Sequence, residues 1–128
     1  MKPKMIWANY SIKDAKRTYA FYTQLGFKPN DFNDPTLASF NFGDNNFTIH
    51  FFEEGTRIDE YVTPAKRGEV IFSLSADTEA EVKELADKIT VAGGTLLSEP
   101  RRDEAGYYGF AFADPDGHKF NVLLMDNM

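Results

Sequence analysis

Hydrophobic and polar residues alternate, change to a helical period and alternate again through the first half of the chain. Alternation over residues 5–10 predicts a strand. Asp14 is placed to open a helix that would end near Gly26. Alternating runs at 38–42 and 47–52, joined by a turn-forming segment, predict a hairpin. The helix carries an apolar stripe that repeats every three or four positions, made of Thr18, Phe21, Tyr22 and Leu25.

The same order of elements returns in the second half. Residues 69–75 alternate as a strand, and Thr78 and Glu81 fit a capping box that opens a second helix. Its apolar stripe ends before Gly93 and Gly94, which favour a helix end. Short alternating runs then predict three more strands, over residues 95–97, 107–113 and 119–124, with a type I turn between the last two.

A strand near residues 28–32 is the least marked element of the first half. With it, each half reads as one strand, one helix and three strands. This pattern predicts an α+β fold of two βαβββ modules in a single domain, with module 1 over about residues 1–63 and module 2 over about 64–128. The charged segment 53–67 lacks a period and is typical of a connector, with one helical turn near 58–61.

Charge and cysteine content exclude several classes of function. The net charge of −6 disfavours nucleic acid and anionic membranes as partners. The absence of cysteine excludes disulfides and thiolate chemistry. The first residues do not resemble a signal peptide, and no apolar run reaches membrane-spanning length, so we expect a cytoplasmic protein. Aromatic residues make up 15% of the chain, which favours a core or a cavity wall of flat side chains.

Three motifs together resemble a known family. The end of the first helix reads FYTQLGF over residues 21–27, the second helix ends in AGGT over 92–95, and the last hairpin reads DPDGH over 114–118. In this combination and order they resemble the glyoxalase/bleomycin-resistance/extradiol-dioxygenase superfamily. The resemblance implies two βαβββ modules that form a cupped mixed sheet with the helices on the outer face. It also implies a homodimer, and an inner face that holds a divalent metal or a small organic ligand.

The resemblance places the family's metal ligands on the first and last strand of each module. Carried over by spacing, the positions are Trp7, His50, Glu69 and Asn121. Tryptophan is not a metal ligand, and asparagine is a poor one for a transition metal. His50 and Glu69 are too few for a catalytic ion, which needs about three protein ligands. We therefore expect no metal and no cofactor, and keep a divalent metal at these two residues as the alternative.

Two residues are the candidates for catalysis, and the same face of the sheet supplies the candidates for ligand contact. His50 and Glu69 would form an acid–base pair if both face the cup. Trp7 would provide a stacking wall. We expect a small organic molecule to be bound without a metal; a metal-dependent or acid–base enzyme of the lyase or dioxygenase type and a purely structural protein remain open. The predicted ligand-binding residues are Trp7, Asn9, His50, Phe52, Glu69, Tyr107, Tyr108 and Asn121.

Overall fold

The computed structural model describes residue 2 and residues 5–44, 47–60 and 70–125. The chain divides into two compact units, Met1–Arg67 and Gly68–Met128. Within the described residues, each unit has one α-helix and one mixed sheet, of four strands in the first unit and five in the second. The predicted α+β class, with a βαβββ order repeated in each half, is therefore confirmed.

The first unit packs one helix against a four-stranded sheet. Its strands run in the order β1-β4-β3-β2, with β1 parallel to β4 and the other neighbours antiparallel. Helix α1 lies on β3 and β4. The elements are β1 (Trp7–Ile12), α1 (Ala15–Gln24), β2 (Lys28–Asn30), β3 (Leu37–Asn41) and β4 (Thr48–Glu53), followed by a 3-10 turn over Arg57–Glu60.

Capping and burial explain why α1 forms where the sequence predicts it. The Asp14 carboxylate accepts hydrogen bonds from the backbone N–H groups of Lys16 and Arg17, which satisfies donors at the helix start. The predicted stripe is buried along its whole length, because it faces the sheet. Within this core Tyr22 stacks on Phe51 with the ring centroids 4.9 Å apart.

The second unit repeats this arrangement with one additional short strand. Its sheet runs in the order β5-β9-β8-β6, and β7 also pairs with β8. Strands β5 and β9 are parallel, and the other pairs are antiparallel. The elements are β5 (Ile71–Ala76), α2 (Glu79–Ala92), β6 (Thr95–Leu96), β7 (Arg101–Arg102), β8 (Tyr108–Ala113) and β9 (Lys119–Leu124).

Local signals again set the ends of the second helix and of the last hairpin. Thr78 Oγ1 accepts from the N–H of Glu81, as the capping box predicts. Gly93 ends α2 with φ of 105°, a left-handed conformation that favours glycine. In the predicted turn the N–H of Gly117 donates to the carbonyl oxygen of Asp114 over 3.0 Å.

Several predicted strands begin or end one or two residues away from the observed bounds, and β1 differs at both ends. Strand β1 begins and ends two residues later than predicted, so Ile6 precedes it and is 78% exposed. The parallel ladder with β4 continues to Ile12, and both Ser11 and Ile12 are fully buried. Pairing and burial therefore extend the C-terminal end of β1, although hydrophobic and polar residues alternate only weakly there. The predicted boundary near residues 63 and 64 lies outside the described residues, and the single-domain arrangement stays a prediction.

Neither described helix has the length and apolar character needed to cross a membrane.

Candidate functional site

The first and last strands of both units share the same register. Residues Trp7–Ile12 pair with Thr48–Glu53, and residues Ile71–Ala76 pair with Lys119–Leu124, six residues against six in each unit. Helix capping confirms the equivalence, because each cap stands two residues after its strand. Position by position, His50 is therefore equivalent to Asn121, Asn9 to Ser73, and Trp7 to Ile71.

This register changes the relation between two of the sequence-predicted positions. The residue equivalent to Trp7 is Ile71, two positions after Glu69 in the sequence. Trp7 lies seven residues before the helix cap Asp14, and Ile71 lies seven residues before the helix cap Thr78. Glu69 itself lies outside the described residues, so its proximity to His50 stays a prediction.

His50 is the centre of an aromatic cluster on the sheet face opposite α1. Its imidazole lies 5.3 Å from the ring of Phe32, 5.8 Å from Phe52 and 6.3 Å from Trp7, in edge-to-face arrangements. Ile49 and Phe51 alternate with it on β4 and are fully buried, which directs the His50 side chain away from the helix. Asn9 stands beside it as its partner in the β1–β4 ladder.

A groove of about 510 Å³ opens at this cluster. Two of its aromatic walls remain largely open to solvent: Trp7 is 49% exposed and Phe32 55%. None of the described lining residues carries a formal charge while His50 is neutral. The residues that line the groove are Met5, Trp7, Asn30, Phe32, Asn41, Thr48 and His50.

Neutral polar side chains form a hydrogen-bonded network beneath the groove. Nδ1 of His50 is 2.9 Å from Oγ of Ser39, and Nδ2 of Asn30 donates to the same hydroxyl oxygen over 3.2 Å. Asn30 and Asn41 exchange two amide hydrogen bonds of 3.1 and 3.0 Å. Thr48 Oγ1 donates to Oδ1 of Asn41 over 2.8 Å. The network holds His50 and the two amides in fixed orientations.

The groove changes the chemistry of His50. Burial lowers the pKa of its imidazole below the ordinary value of 6.5. The ring is therefore neutral at neutral pH, with one nitrogen that donates and one that accepts. Nε2 makes no hydrogen bond with any residue that the structure describes. A neutral imidazole with one free ring nitrogen is suited to ligand contact or to proton transfer.

The polar part of this site and one of its walls were not predicted from the sequence. Ser39 and Asn41 occupy the polar positions of the alternating run in β3, and this alternation could have assigned them to the face of His50. Asn30 belongs to the weakly marked strand β2. Phe32 follows that strand outside any regular element, and no periodicity identifies it.

The second unit carries the remaining predicted ligand contacts. Asn121 lies on the face of β9 opposite the buried Phe120 and Val122, and its Oδ1 is buried without a hydrogen-bond partner among the described residues. Alternation along β8 puts Tyr107 on the Asn121 side. By the same alternation Tyr108 falls on the opposite side, where Arg102 lies 5.7 Å from its ring centroid.

The described residues do not fit the divalent metal of the family. Among them, no group of three or more His, Cys, Asp or Glu side chains is placed to hold an ion. His50 is the one strong donor at the equivalent strand positions that the structure describes, and a single imidazole does not make a catalytic metal site. The other candidates at these positions are Trp7, Asn9, Ile71, Ser73 and Asn121.

A second groove also includes Phe32 in its lining. Its volume is about 520 Å³, and it lies between the start of α1 and the loop after β2. Lys16, Tyr19, Asp31 and Asp34 are among its lining residues, so it carries charges of both signs. Phe32 lines both grooves, whereas Tyr19 lines this one alone.

Comparison with known proteins agrees with this architecture. Two βαβββ units in one chain define the class, and the family model described as the Glyoxalase/Bleomycin resistance protein/Dioxygenase superfamily matches residues 4–122. The chain therefore belongs to this superfamily. A search of curated proteins finds no significant match.

Solved structures with the same fold cover nearly the whole chain. A hypothetical protein from S. aureus is 30% identical, with a TM-score of 0.86 over 97% of this chain and 95% of that one. A glyoxalase-related enzyme from Fulvimarina pelagi is 22% identical, with a TM-score of 0.81 over 94% and 87% of the two chains. A family enzyme from Burkholderia phytofirmans is 21% identical, with a TM-score of 0.73 over 92% and 95%.

Proposed function

We propose that this protein binds a small organic molecule in the groove around His50 without a metal ion. The observation that carries the proposal is the combination of half-exposed aromatic walls with a neutral, hydrogen-bonded polar floor. Flat apolar side chains lose little entropy when a ligand covers them, and fixed polar groups orient it. The weakness of the metal donor set favours a binder over a metal enzyme.

A screen of small aromatic compounds by NMR, followed by titration of Trp7 fluorescence, tests the proposal. Trp7 is the single tryptophan of the chain and lines the groove, so its emission reports on ligands bound there. For a ligand in the His50 groove, Phe32→Ala should weaken binding by about tenfold, the effect of losing one aromatic contact.

Tyr19→Ala is the matched control, because Tyr19 is an exposed aromatic residue outside the His50 groove. Its binding should equal that of the unmodified protein. If Tyr19→Ala weakens binding as much as Phe32→Ala, the ligand occupies the neighbouring groove. If no aromatic compound binds, the proposed function is wrong.

An acid–base enzyme is the second candidate, and it is favoured by the neutral imidazole, whose Nε2 makes no hydrogen bond with the described residues. In this reading His50 moves a proton on the bound molecule, and Glu69 is its predicted partner. Elemental analysis after incubation with Zn²⁺, Ni²⁺, Mn²⁺ and Fe²⁺ separates both candidates from a metal enzyme. Close to one retained ion per chain would contradict binding without a metal.

The homodimer and the cytoplasmic location stay predictions, the first from the family resemblance and the second from the sequence. Light scattering coupled to size-exclusion chromatography tests the dimer directly. A monomer at all protein concentrations would remove it.

A further inference from the structure

The direction of the hydrogen bond between Ser39 and His50 can be assigned from the other bonds of the network. The hydroxyl oxygen of Ser39 already accepts from Nδ2 of Asn30. Ser39 is only 1% exposed, so the hydrogen of its hydroxyl group is not donated to water. In the described part of the chain the acceptor within hydrogen-bond distance is Nδ1 of His50, at 2.9 Å. The Ser39 hydroxyl therefore donates to Nδ1.

This direction fixes the state of the imidazole. A neutral imidazole whose Nδ1 accepts must carry its proton on Nε2. The opposite tautomer would make the Ser39 oxygen accept twice and leave a buried hydroxyl hydrogen unpaired, which is costly. His50 consequently presents an N–H donor, not a lone pair, at the nitrogen that the network leaves free.

A second donor stands nearby in the same network. One N–H of the Asn41 amide is used by Oδ1 of Asn30, and the other makes no hydrogen bond with the described residues. Oδ1 of Asn41 accepts from both Asn30 and Thr48, so its lone pairs are occupied. Both Nδ2 hydrogens of Asn30 are used as well. The network therefore leaves two donors between the aromatic walls, Nε2–H of His50 and one N–H of Asn41, while Oδ1 of Asn30 accepts one of the two hydrogen bonds that it can take.

We infer that the groove recognises a planar, uncharged molecule through a carbonyl oxygen that accepts from Nε2–H of His50. The inference rests on the proposed function and adds the chemical class of the ligand. A carbonyl oxygen satisfies the free donor, and a conjugated ring covers Trp7 and Phe32. A neutral carbonyl is preferred to a carboxylate, because the described lining residues include no cation and the chain carries a net charge of −6. A ligand cation would face an N–H donor and is disfavoured.

The tautomer can be measured without any ligand. Long-range ¹H–¹⁵N correlation on protein labelled at histidine nitrogen distinguishes Nδ1–H from Nε2–H. We expect the Nε2–H form for His50, with loss of its fixed tautomer in Ser39→Ala. Thr90→Ala removes a hydroxyl from an exposed position of helix α2 and should leave the His50 signals unchanged. An Nδ1–H form in the unmodified protein overturns the inference.

Three planar bicyclic probes test the ligand class in NMR titrations. Coumarin carries a ring carbonyl, 2H-chromene has the same ring size without it, and N-methylquinolinium is a cation. Coumarin should bind about tenfold more tightly than 2H-chromene, the effect of one hydrogen bond to an otherwise unpaired donor. N-methylquinolinium should bind most weakly. His50→Phe keeps a flat ring but removes the donor, so it should abolish the preference for coumarin.

The outcomes of these titrations test the carbonyl preference separately from small-molecule binding itself. Equal binding of coumarin and 2H-chromene, or tighter binding of the cation, overturns the carbonyl preference while small-molecule binding stands. If none of the three probes binds and the aromatic screen also fails, both the proposed function and the ligand class are overturned. Since the tautomer is measured on the unmodified protein, the inference is tested even if a variant does not fold.

Discussion

Ser39 of β3 lies directly opposite His50 of β4 in the antiparallel ladder, with Oγ and Nδ1 2.9 Å apart. Strand register creates this contact, because the two residues are separated by eleven positions in the sequence. A slip of one residue would turn the Ser39 side chain to the helix face and leave His50 without its partner. The β3–β4 register therefore decides the chemistry of the groove.

Replacing Ser39 by alanine should raise the pKa of His50 toward its ordinary value. Burial lowers this pKa, and the hydrogen bond that the Ser39 hydroxyl donates to Nδ1 also favours the neutral ring. Loss of that hydrogen bond therefore raises the pKa of His50. An NMR titration of the imidazole signals measures the change. Thr90→Ala serves as the control, and an equal or lower His50 pKa in Ser39→Ala would contradict the assigned hydrogen bond.

The lowered pKa of His50 makes folding stability depend on pH. The unfolded chain binds a proton at the ordinary pKa of 6.5, whereas the folded chain binds it only at lower pH. The contribution of His50 is therefore complete above pH 6.5 and is lost as the pH falls from there toward the folded pKa. Urea denaturation of the unmodified protein and of His50→Gln at several pH values measures this difference. A difference that does not change with pH would refute the prediction.

Gly109 of β8 should not tolerate a side chain. A methyl group there would overlap the backbone carbonyl oxygen of Val122 on the neighbouring strand β9. Gly109→Ala must shift the β8–β9 pairing, at a cost of about 3 kcal/mol in the free energy of unfolding. Gly43→Ala is the control, since a methyl group at Gly43 meets no atom within 4 Å. Similar denaturation midpoints for the two variants would show that this close approach is absent.

The second helix should lose stability when its cap is removed. Thr78→Ala deletes the oxygen that accepts from the N–H of Glu81, which costs about 1 kcal/mol. Thr90→Ala makes the same chemical change at an exposed position inside α2 and should be neutral or slightly stabilising, because alanine favours helix. Chemical denaturation compares the two variants, and an equal loss in both would argue against a specific capping effect.

The sequence by itself determined the order of elements in both units. Three kinds of local signal are present in the structure as predicted. They are the apolar stripe that includes Phe21 and Tyr22, the helix caps at Asp14 and Thr78, and the turn that ends at Gly117. Such signals act over a few residues and need no knowledge of distant partners. The alternation of β4 agrees with the position of His50 on the face opposite the helix, a position that the family resemblance implied.

Only the tertiary structure decided which side chains meet at His50. Phe32 reaches the imidazole from outside any regular element, and Ser39 and Asn30 join it through the pairing of consecutive strands, β2 with β3 and β3 with β4. Register likewise showed that Ile71, not Glu69, is the equivalent of Trp7. The physical reason is that local preferences fix the period of a strand, whereas its offset against a neighbour is set by the burial and hydrogen bonds of both strands together.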